Sequence, residues 1–186
     1  MPEITFRTSL ISRMNIHENH TVLDFGCGSG STTILIKKIY PASDVFGIDI
    51  DRRILSIARK KAKKLNQPIS FELYKGAGLP YEDGFFDRAV SSLVFHHLSK
   101  SQKESALKEI HRVLKPDGEL HIGDIGIPRG MYAKFITAIS EYMEPISDNR
   151  KGLIPHYITK AGFKDVQAHD NFNTMFGTVS LYSGRK

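Results

Sequence analysis

The chain has a single cysteine, Cys27, among 186 residues. An internal disulfide is therefore excluded, and so is a cysteine-rich metal site. No stretch approaches the roughly 20 apolar residues that a membrane-crossing helix needs. The opening MPEITFRTSLISRMN has an early Glu3, no long apolar run and no small-residue cleavage site. No signal peptide is expected, and the cytoplasm is the expected compartment. Internal repeats, low-complexity tracts and linkers are also missing. One domain over 1–186 is expected, with 1–18 as a short N-terminal helical segment and candidate lid.

Charge is the first thing present in excess. The net charge is +6. Much of it sits in Arg52, Arg53, Arg59, Lys60, Lys61, Lys63 and Lys64. Two readings stand: the solvated face of one helix, or an electrostatic docking surface. No aromatics interleave with these residues, so a stacking platform for single strands is not indicated.

The rest alternates short apolar runs with helical periodicity. Strands are expected at 21–25, 44–49, 69–74, 86–94 and 119–125. Helices are expected at about 31–40, ended by Pro41, and at 52–66, with Ile54, Ala58, Ala62 and Leu65 inward. Ser101 and Glu104 read as a capping box opening a helix that buries Leu107, Ile110, Val113 and Leu114. Further helices are expected at 131–143 and 154–161, then strands at 164–170 and 174–183 joined by a turn at Asn171–Asn173. Alternation of this kind implies an α/β, doubly wound, Rossmann-like sheet of seven mostly parallel strands with an antiparallel terminal hairpin. A ligand should lie at the carboxyl ends of its central strands.

The strongest local signal is Val22-Leu23-Asp24-Phe25-Gly26-Cys27-Gly28-Ser29-Gly30. A strand runs into alternate glycines and then a helix, whose free N–H groups suit an anionic or polar ligand. Asp49 ends the next strand, where a carboxylate can accept hydrogen bonds from both ribose hydroxyls. The pattern fits an adenosine-containing ligand. Counting from Gly26, the sixth position is Ser31, so the dinucleotide fingerprint fails. No Gly-Lys-Ser/Thr follows, so a P-loop fails too. Asp24 would repel a pyrophosphate and suit an ammonium group. The alternative is a turn that only lets helix and strand pack closely.

Five segments in order resemble the class I S-adenosylmethionine-dependent methyltransferases, in particular their small-molecule, quinone-biosynthesis-like group. They are VLDFGCGSG at 22–30, GIDID at 47–51, LPYEDGFFDRAVSSLVFHHL at 79–98, EIHRVLKPDGEL at 109–120 and AGFKDV at 161–166. The resemblance implies S-adenosyl-L-methionine as cofactor, S-adenosyl-L-homocysteine as product and no metal. It implies that Gly26, Cys27 and Gly28 pass under the methionine moiety and that Asp24 helps hold its ammonium end. Asp49 would bind ribose, Ile50 would pack on adenine, and the carbonyl of Ser91 or Ser92 would face the methionine group. The pattern usually places an acidic residue before Leu79-Pro80, whereas Tyr74-Lys75-Gly76-Ala77-Gly78 has none. Adenine would then rest on backbone near Gly76 and Ala77. Asp117 stands where glycine is common, in a turn that tolerates Asp.

Methyl transfer from a sulfonium needs alignment and exclusion of water before anything else. A base is needed only where the acceptor must lose a proton. His96, His97 and Asp124 are the catalytic candidates, each with packing or capping as its alternative. Tyr132, His156 and Tyr157 lie where such folds place a substrate lid. His17 and His20 precede the first strand, and adjacent His96 and His97 would point apart, so no metal site is expected. Cys27 would fill space beside the cofactor, and one cysteine argues against arsenic methylation. Ser91-Ser92-Leu93-Val94-Phe95 lacks the Asn/Asp-Pro-Pro-aromatic motif of base-amine methylation. A small-molecule acceptor is favoured. RNA or protein as acceptor, a non-catalytic cofactor-binding or interaction protein, and a nicotinamide oxidoreductase are the alternatives.

Overall fold

The computed structural model describes residues 2–76, 78–128, 144–174 and 177–186. Its seven strands are β1 (Thr21–Phe25), β2 (Asp44–Asp49), β3 (Ser70–Leu73), β4 (Phe86–Ser92), β5 (Leu114–Ile125), β6 (Lys164–Thr174) and β7 (Gly177–Arg185). They form one sheet in the order β3-β2-β1-β4-β5-β7-β6. The first five run parallel, and β7 lies antiparallel to both β5 and β6. The described helices are α1 (Pro2–Ser12), α2 (Ser31–Ile39), α3 (Arg52–Lys64), α4 (Lys100–Val113), α5 (Glu144–Arg150) and α6 (Ile154–Lys160), with a 3₁₀ turn at Phe95–His97. This is the doubly wound architecture with an antiparallel terminal hairpin that the sequence pattern implies. The order reverses between β1 and β4, which opens a crevice at their carboxyl ends.

Period-two alternation sends neighbouring strand residues to opposite layers. Along β1, Leu23 joins Phe86, Leu107, Ile110 and Ile158 on one side. Val22 joins Phe6, Leu10, Ile36 and Leu181 on the other. The segment expected as a candidate lid therefore carries core residues: Phe6, Leu10, Ile11 and Met14 are all at most 1% exposed. Its close seat depends on Gly123 of β5, where an added Cβ would stand 3.1 Å from Leu10 Cδ2.

Several local expectations shift. The buried face of α3 is Leu55, Ala58 and Ala62. Asp51 caps this helix by accepting from the N–H groups of Arg53 and Ile54. That start turns Ile54 toward the glycine loop, while Leu65 ends outside the helix and 42% exposed. The capping box is Ser99 with Gln102, not Ser101 with Glu104. The 3₁₀ turn delivers Leu98 and Ser99 in extended conformation, so Ser99 is the residue positioned to cap. Glu104 instead pairs with Lys160 at 2.8 Å.

Strand β5 starts at Leu114, before the expected 119, and its register against β4 shifts between Phe86 and Arg88. Asp117 takes a left-handed φ of 62° inside this irregular stretch. The expected turn at Asn171–Asn173 is paired strand: these residues face Ser180, Val179 and Thr178. Polar residues suit β6 because it is a half-exposed edge, and Ser180 Oγ donates to Asn171 Oδ1 at 2.6 Å. The expected helix at 131–143, with Tyr132, lies outside the described residues.

The segment EIHR also acquires a physical role. Arg112 donates to Glu109, to Asp83 and to the carbonyls of Leu79 and Tyr81, while Glu109 accepts from Leu79 N–H at 2.7 Å. One guanidinium thus fastens the β3–β4 connection to α4. The two cap assignments separate by experiment. Ser99→Ala should cost about 1 kcal/mol in urea unfolding. Ser101→Ala should cost less than about 0.5 kcal/mol.

Candidate cofactor and active site

The glycine loop is fastened to the end of β2. Gly26 and Cys27 both donate their N–H to the Ile48 carbonyl at 2.9 Å, and Gly28 N–H donates to Asp49 Oδ2 at 2.8 Å. This sharp descent demands glycine. Gly26 sits at φ 72°, and a Cβ there would lie 2.5 Å from Val94 Cγ2. Cys27 is buried beneath the loop, close enough to Gly47 that a Cβ there would meet its Sγ at 3.0 Å. Burial, reinforced by Asp24 and Asp49, pushes its thiol well above the ordinary range. Cys27 is a space-filling residue and not a thiolate at neutral pH.

Above the loop lies a cleft of about 530 Å³ at the carboxyl ends of β1, β2 and β4. Asp24, Gly26, Cys27, Gly28, Asp49, Ile50 and Ser92 all line it, so the structure brings most of the sequence-derived cofactor set together. Gly76 is exposed and does not line it, Tyr74 does, and Ala77 lies outside the described residues. Ile50 is 70% exposed, an apolar side chain left open at the β2 end.

At the β1–β4 end, Asp24 is 1% exposed. Its Oδ2 accepts from Thr33 Oγ1 at 2.6 Å, while Oδ1 has no hydrogen-bond partner. Ser92 Oγ, buried in the same wall, is also without one. Buried polar atoms are rarely left unmade, so such a pair in a cleft marks where a ligand's polar groups belong. Asp49 closes the far end. Its two oxygens each hold one backbone N–H, Gly28 and Asp51, and a carboxylate has lone pairs left for two hydroxyls. The residues present fit a ligand with an ammonium group, a ribose and a flat base.

The lip of the cleft is shaped by Asp124. This fully buried carboxylate accepts from Val94 N–H, Phe95 N–H, Ile125 N–H, Asn149 Nδ2 and His96 Nδ1. Saturated in this way, it positions the β4 exit and does not face an acceptor. His96 is 8% exposed and committed to Asp124, so it too is a positioning group. His97 alone of the three lines the cleft. Burial and then His96 hold its pKa below the ordinary histidine value, which keeps it neutral and proton-accepting at pH 7. Leu93, on the cleft wall, takes a left-handed φ of 60°. Strain at such a site is held by its surroundings, here the bond from Leu93 N–H to Gly123 O. Tyr157 is core, and His156 is exposed.

Sequence reasoning missed Arg7, Thr33, Tyr74, Leu93 and Asn149. Thr33 had a signal, lying in the first turn of α2, whose start follows the glycine loop after Asp24. The backbone of Leu93 and the reach of Asn149 had none. The basic residues of α3 are all exposed. Two have local roles: Arg59 donates to Phe71 O, and Lys61 donates to Ser29 Oγ at 2.8 Å. Among the described residues no group of three or more His, Cys, Asp or Glu could hold a metal ion, and no helix is long and apolar enough to cross a membrane.

The fold and this site together define a Rossmann-like domain built for an S-adenosylmethionine-type ligand. Residues 22–118 match the family described as methyltransferase domain. The chain belongs to that family, within the class I S-adenosylmethionine-dependent methyltransferases. It is 32% identical over 194 aligned positions to a demethylmenaquinone methyltransferase of Lactobacillus johnsonii, covering 96% of this chain and 79% of that one. Of several other curated relatives it spans less than three-fifths. Among solved structures, the [4+2]-cyclase SpnF superposes with a TM-score of 0.78 at 18% identity, over 98% of this chain and 80% of that one. Haemonchus contortus phosphoethanolamine N-methyltransferase 2, in complex with phosphomonomethylethanolamine and S-adenosylhomocysteine, gives 0.77 at 15%, over 98% and 52%. Both show the fold.

Asp24 supplies a pH test. Burial first raises its pKa from 3.8 to about 6, against the pull of Thr33 and Arg7. The folded protein therefore binds this proton more tightly than the unfolded chain does. Stability from this group is greatest below pH 3.8 and falls as pH rises through about 6, by on the order of 3 kcal/mol. Asp24→Asn should remove that fall and raise the ligand-free melting temperature at pH 7. Melting curves from pH 4.5 to 7.5 that keep the same slope in the variant would assign the charge cost elsewhere.

Proposed function

We propose that the protein transfers the methyl group of S-adenosylmethionine to a small-molecule acceptor, in the cytoplasm, with residues 1–186 acting as one domain. The observation that carries this is the pair of unsatisfied buried oxygens, Asp24 Oδ1 and Ser92 Oγ, at one end of a cleft whose other end is Asp49. When bound, the cofactor supplies a methyl group already activated by the sulfonium charge, for displacement in line. Asp24 holds an ammonium group by charge-assisted hydrogen bonding. Asp49 accepts from ribose hydroxyls while keeping Gly28 in place. Ile50 and Tyr74 supply apolar surface for the base, which replaces the missing acidic residue by packing. Gly76, exposed and off the cleft lining, is left with a backbone role at most.

On the acceptor side, Leu93, Val94 and Leu98 make an apolar wall beside His97. That wall suits an apolar ring or chain, in keeping with a relative named for a demethylated quinone. His97 takes a proton at its imidazole where the acceptor must lose one. Asp124 and His96 keep the lip that carries it in place. A second reading, an RNA or protein acceptor, is favoured by one observation: Arg52, Arg53, Lys60, Lys63 and Lys64 form an exposed cationic face on α3. Steep loss of binding with salt would mark it. Non-catalytic binding, or another chemistry on the same fold, is the third reading, since folds are shared across chemistries.

The test is calorimetric titration with S-adenosylmethionine, S-adenosylhomocysteine and NAD in parallel. The first two should bind and NAD should not; binding of NAD alone would overturn the reading. Asp49→Ala should weaken S-adenosylhomocysteine about tenfold or more. Unchanged affinity in a folded variant would remove Asp49 from the site. His97→Ala should leave that affinity within about twofold and slow turnover about a hundredfold once an acceptor is found. A drop in melting temperature with normal turnover would make it a packing residue.

A further inference from the structure

We propose that the outward face of α3 docks the protein on an anionic lipid surface. The proposal rests on the reading above only for its use, since an apolar acceptor of the kind proposed there dissolves in a bilayer. The docking itself stands on α3. Its thirteen residues, Arg52–Lys64, hold seven Arg or Lys and no Asp or Glu. Arg59 and Lys61 have the local roles given above. Among the described residues, no ion pair takes up Arg52, Arg53, Lys60, Lys63 or Lys64.

Successive helix residues turn by about 100°. Leu55, Ala58 and Ala62 point into the core. Arg53, Ile57, Lys60 and Lys64 follow one another at helical spacing and form the stripe that points away from it. A stripe that only keeps a helix solvated needs no isoleucine, yet Ile57 is 49% exposed between Arg53 and Lys60. Of the six large apolar side chains exposed among the described residues, Ile50, Ile57 and Leu65 lie on α3 or beside it. That combination separates the occupants. The phosphates of a nucleic acid need the cations alone, and α3 has no aromatic side chain on which a base could stack. An anionic bilayer attracts the cations through its surface potential and takes an aliphatic side chain below its headgroups. The flank next to the stripe borders the cleft. Ile54 lines it, as does Ile50 just before the helix, and Lys61 donates to Ser29 of the glycine loop. The β2 side of the cleft mouth is thus one flank of the docking helix.

The experiment is co-sedimentation of the full chain with vesicles of equal parts phosphatidylglycerol and phosphatidylcholine, and with vesicles of phosphatidylcholine alone, at about 0.1 M salt. The wild type should bind the first and not the second. The double variant Arg53→Glu with Lys60→Glu should bind the anionic vesicles about thirtyfold more weakly. Ile57→Ser changes no charge and should weaken them about threefold or more. Melting temperatures check that both variants fold. A wild type that ignores anionic vesicles, or folded variants that bind as it does, would overturn the proposal. Loss for the charge variant alone would also overturn it: the face would then take any polyanion, and parallel titrations with duplex RNA and poly-L-glutamate would show which. S-adenosylhomocysteine affinity is read separately and should stay within about twofold in both variants. A wild type that binds the vesicles and not S-adenosylhomocysteine would sink the cofactor reading and leave the docking surface standing.

Discussion

The site depends on one carbonyl. Ile48 O, at the end of β2, accepts from Gly26 and Cys27 together, and the Asp49 side chain takes the next amide, Gly28. Three successive N–H groups of one strand's exit loop are thereby spent on its neighbour. The loop is pulled down at the β1–β2 junction, and the space above it becomes the cleft. Positive φ at Gly26, Gly28 and Gly30 is the conformational consequence. It also explains why this loop does not bind through a free nest of amides: those donors are used internally. What it presents upward is backbone surface, flanked by Asp24 and Asp49. Two carboxylates flanking the cleft disfavour a pyrophosphate on charge grounds.

The β4 side is organised by the opposite logic, one acceptor taking many donors. Asp124 gathers three backbone amides, one imidazole nitrogen and one side-chain amide. Without that carboxylate the exit of β4 would bury unsatisfied N–H groups, each costing about 1–3 kcal/mol. The left-handed Leu93 is stable because Asp124 fixes the residues after it and Gly123 O fixes its own amide. Asn149 brings α5 onto the same carboxylate, so the chain beyond β5 and the lip of the cleft share one anchor. That anchor holds the segment on which His97 sits.

Much of this was legible in sequence because it was written in backbone requirements. The alternate glycines and the apolar strands each follow from a steric or period rule, and the parallel sheet with its antiparallel terminal hairpin follows from the strand–helix alternation and the short last connection. The errors came where one residue's role depended on its neighbours' exact phase. Ser101 and Glu104 had the spacing of a capping box, but the preceding 3₁₀ turn gave the cap to Ser99. Asn171–Asn173 had turn composition, yet lay on an edge strand where polar residues are cheap. Asp124 and His96 stood out in the sequence as catalytic candidates, but only the fold shows how many amides converge on that one carboxylate. Arg7 was invisible because nothing local links a surface-looking arginine to a glycine in β5.

The two halves of the cleft therefore differ in kind. The cofactor half is built from main-chain turns and strand ends, which any chain of this sheet order must form in nearly one way. The acceptor half is built from side chains on the β4 lip and from whatever the chain after β5 brings to it. Of these side chains, His97 is the one farthest from the loop's constraints, since Val94 packs on Gly26 and Leu93 holds a left-handed backbone. Folds of this kind are shared across chemistries, so the sheet by itself does not fix the reaction. The proposed acceptor is therefore to be sought by varying the apolar partner offered to a cofactor-loaded protein, because the wall beside His97 is made of the apolar side chains Leu93, Val94 and Leu98.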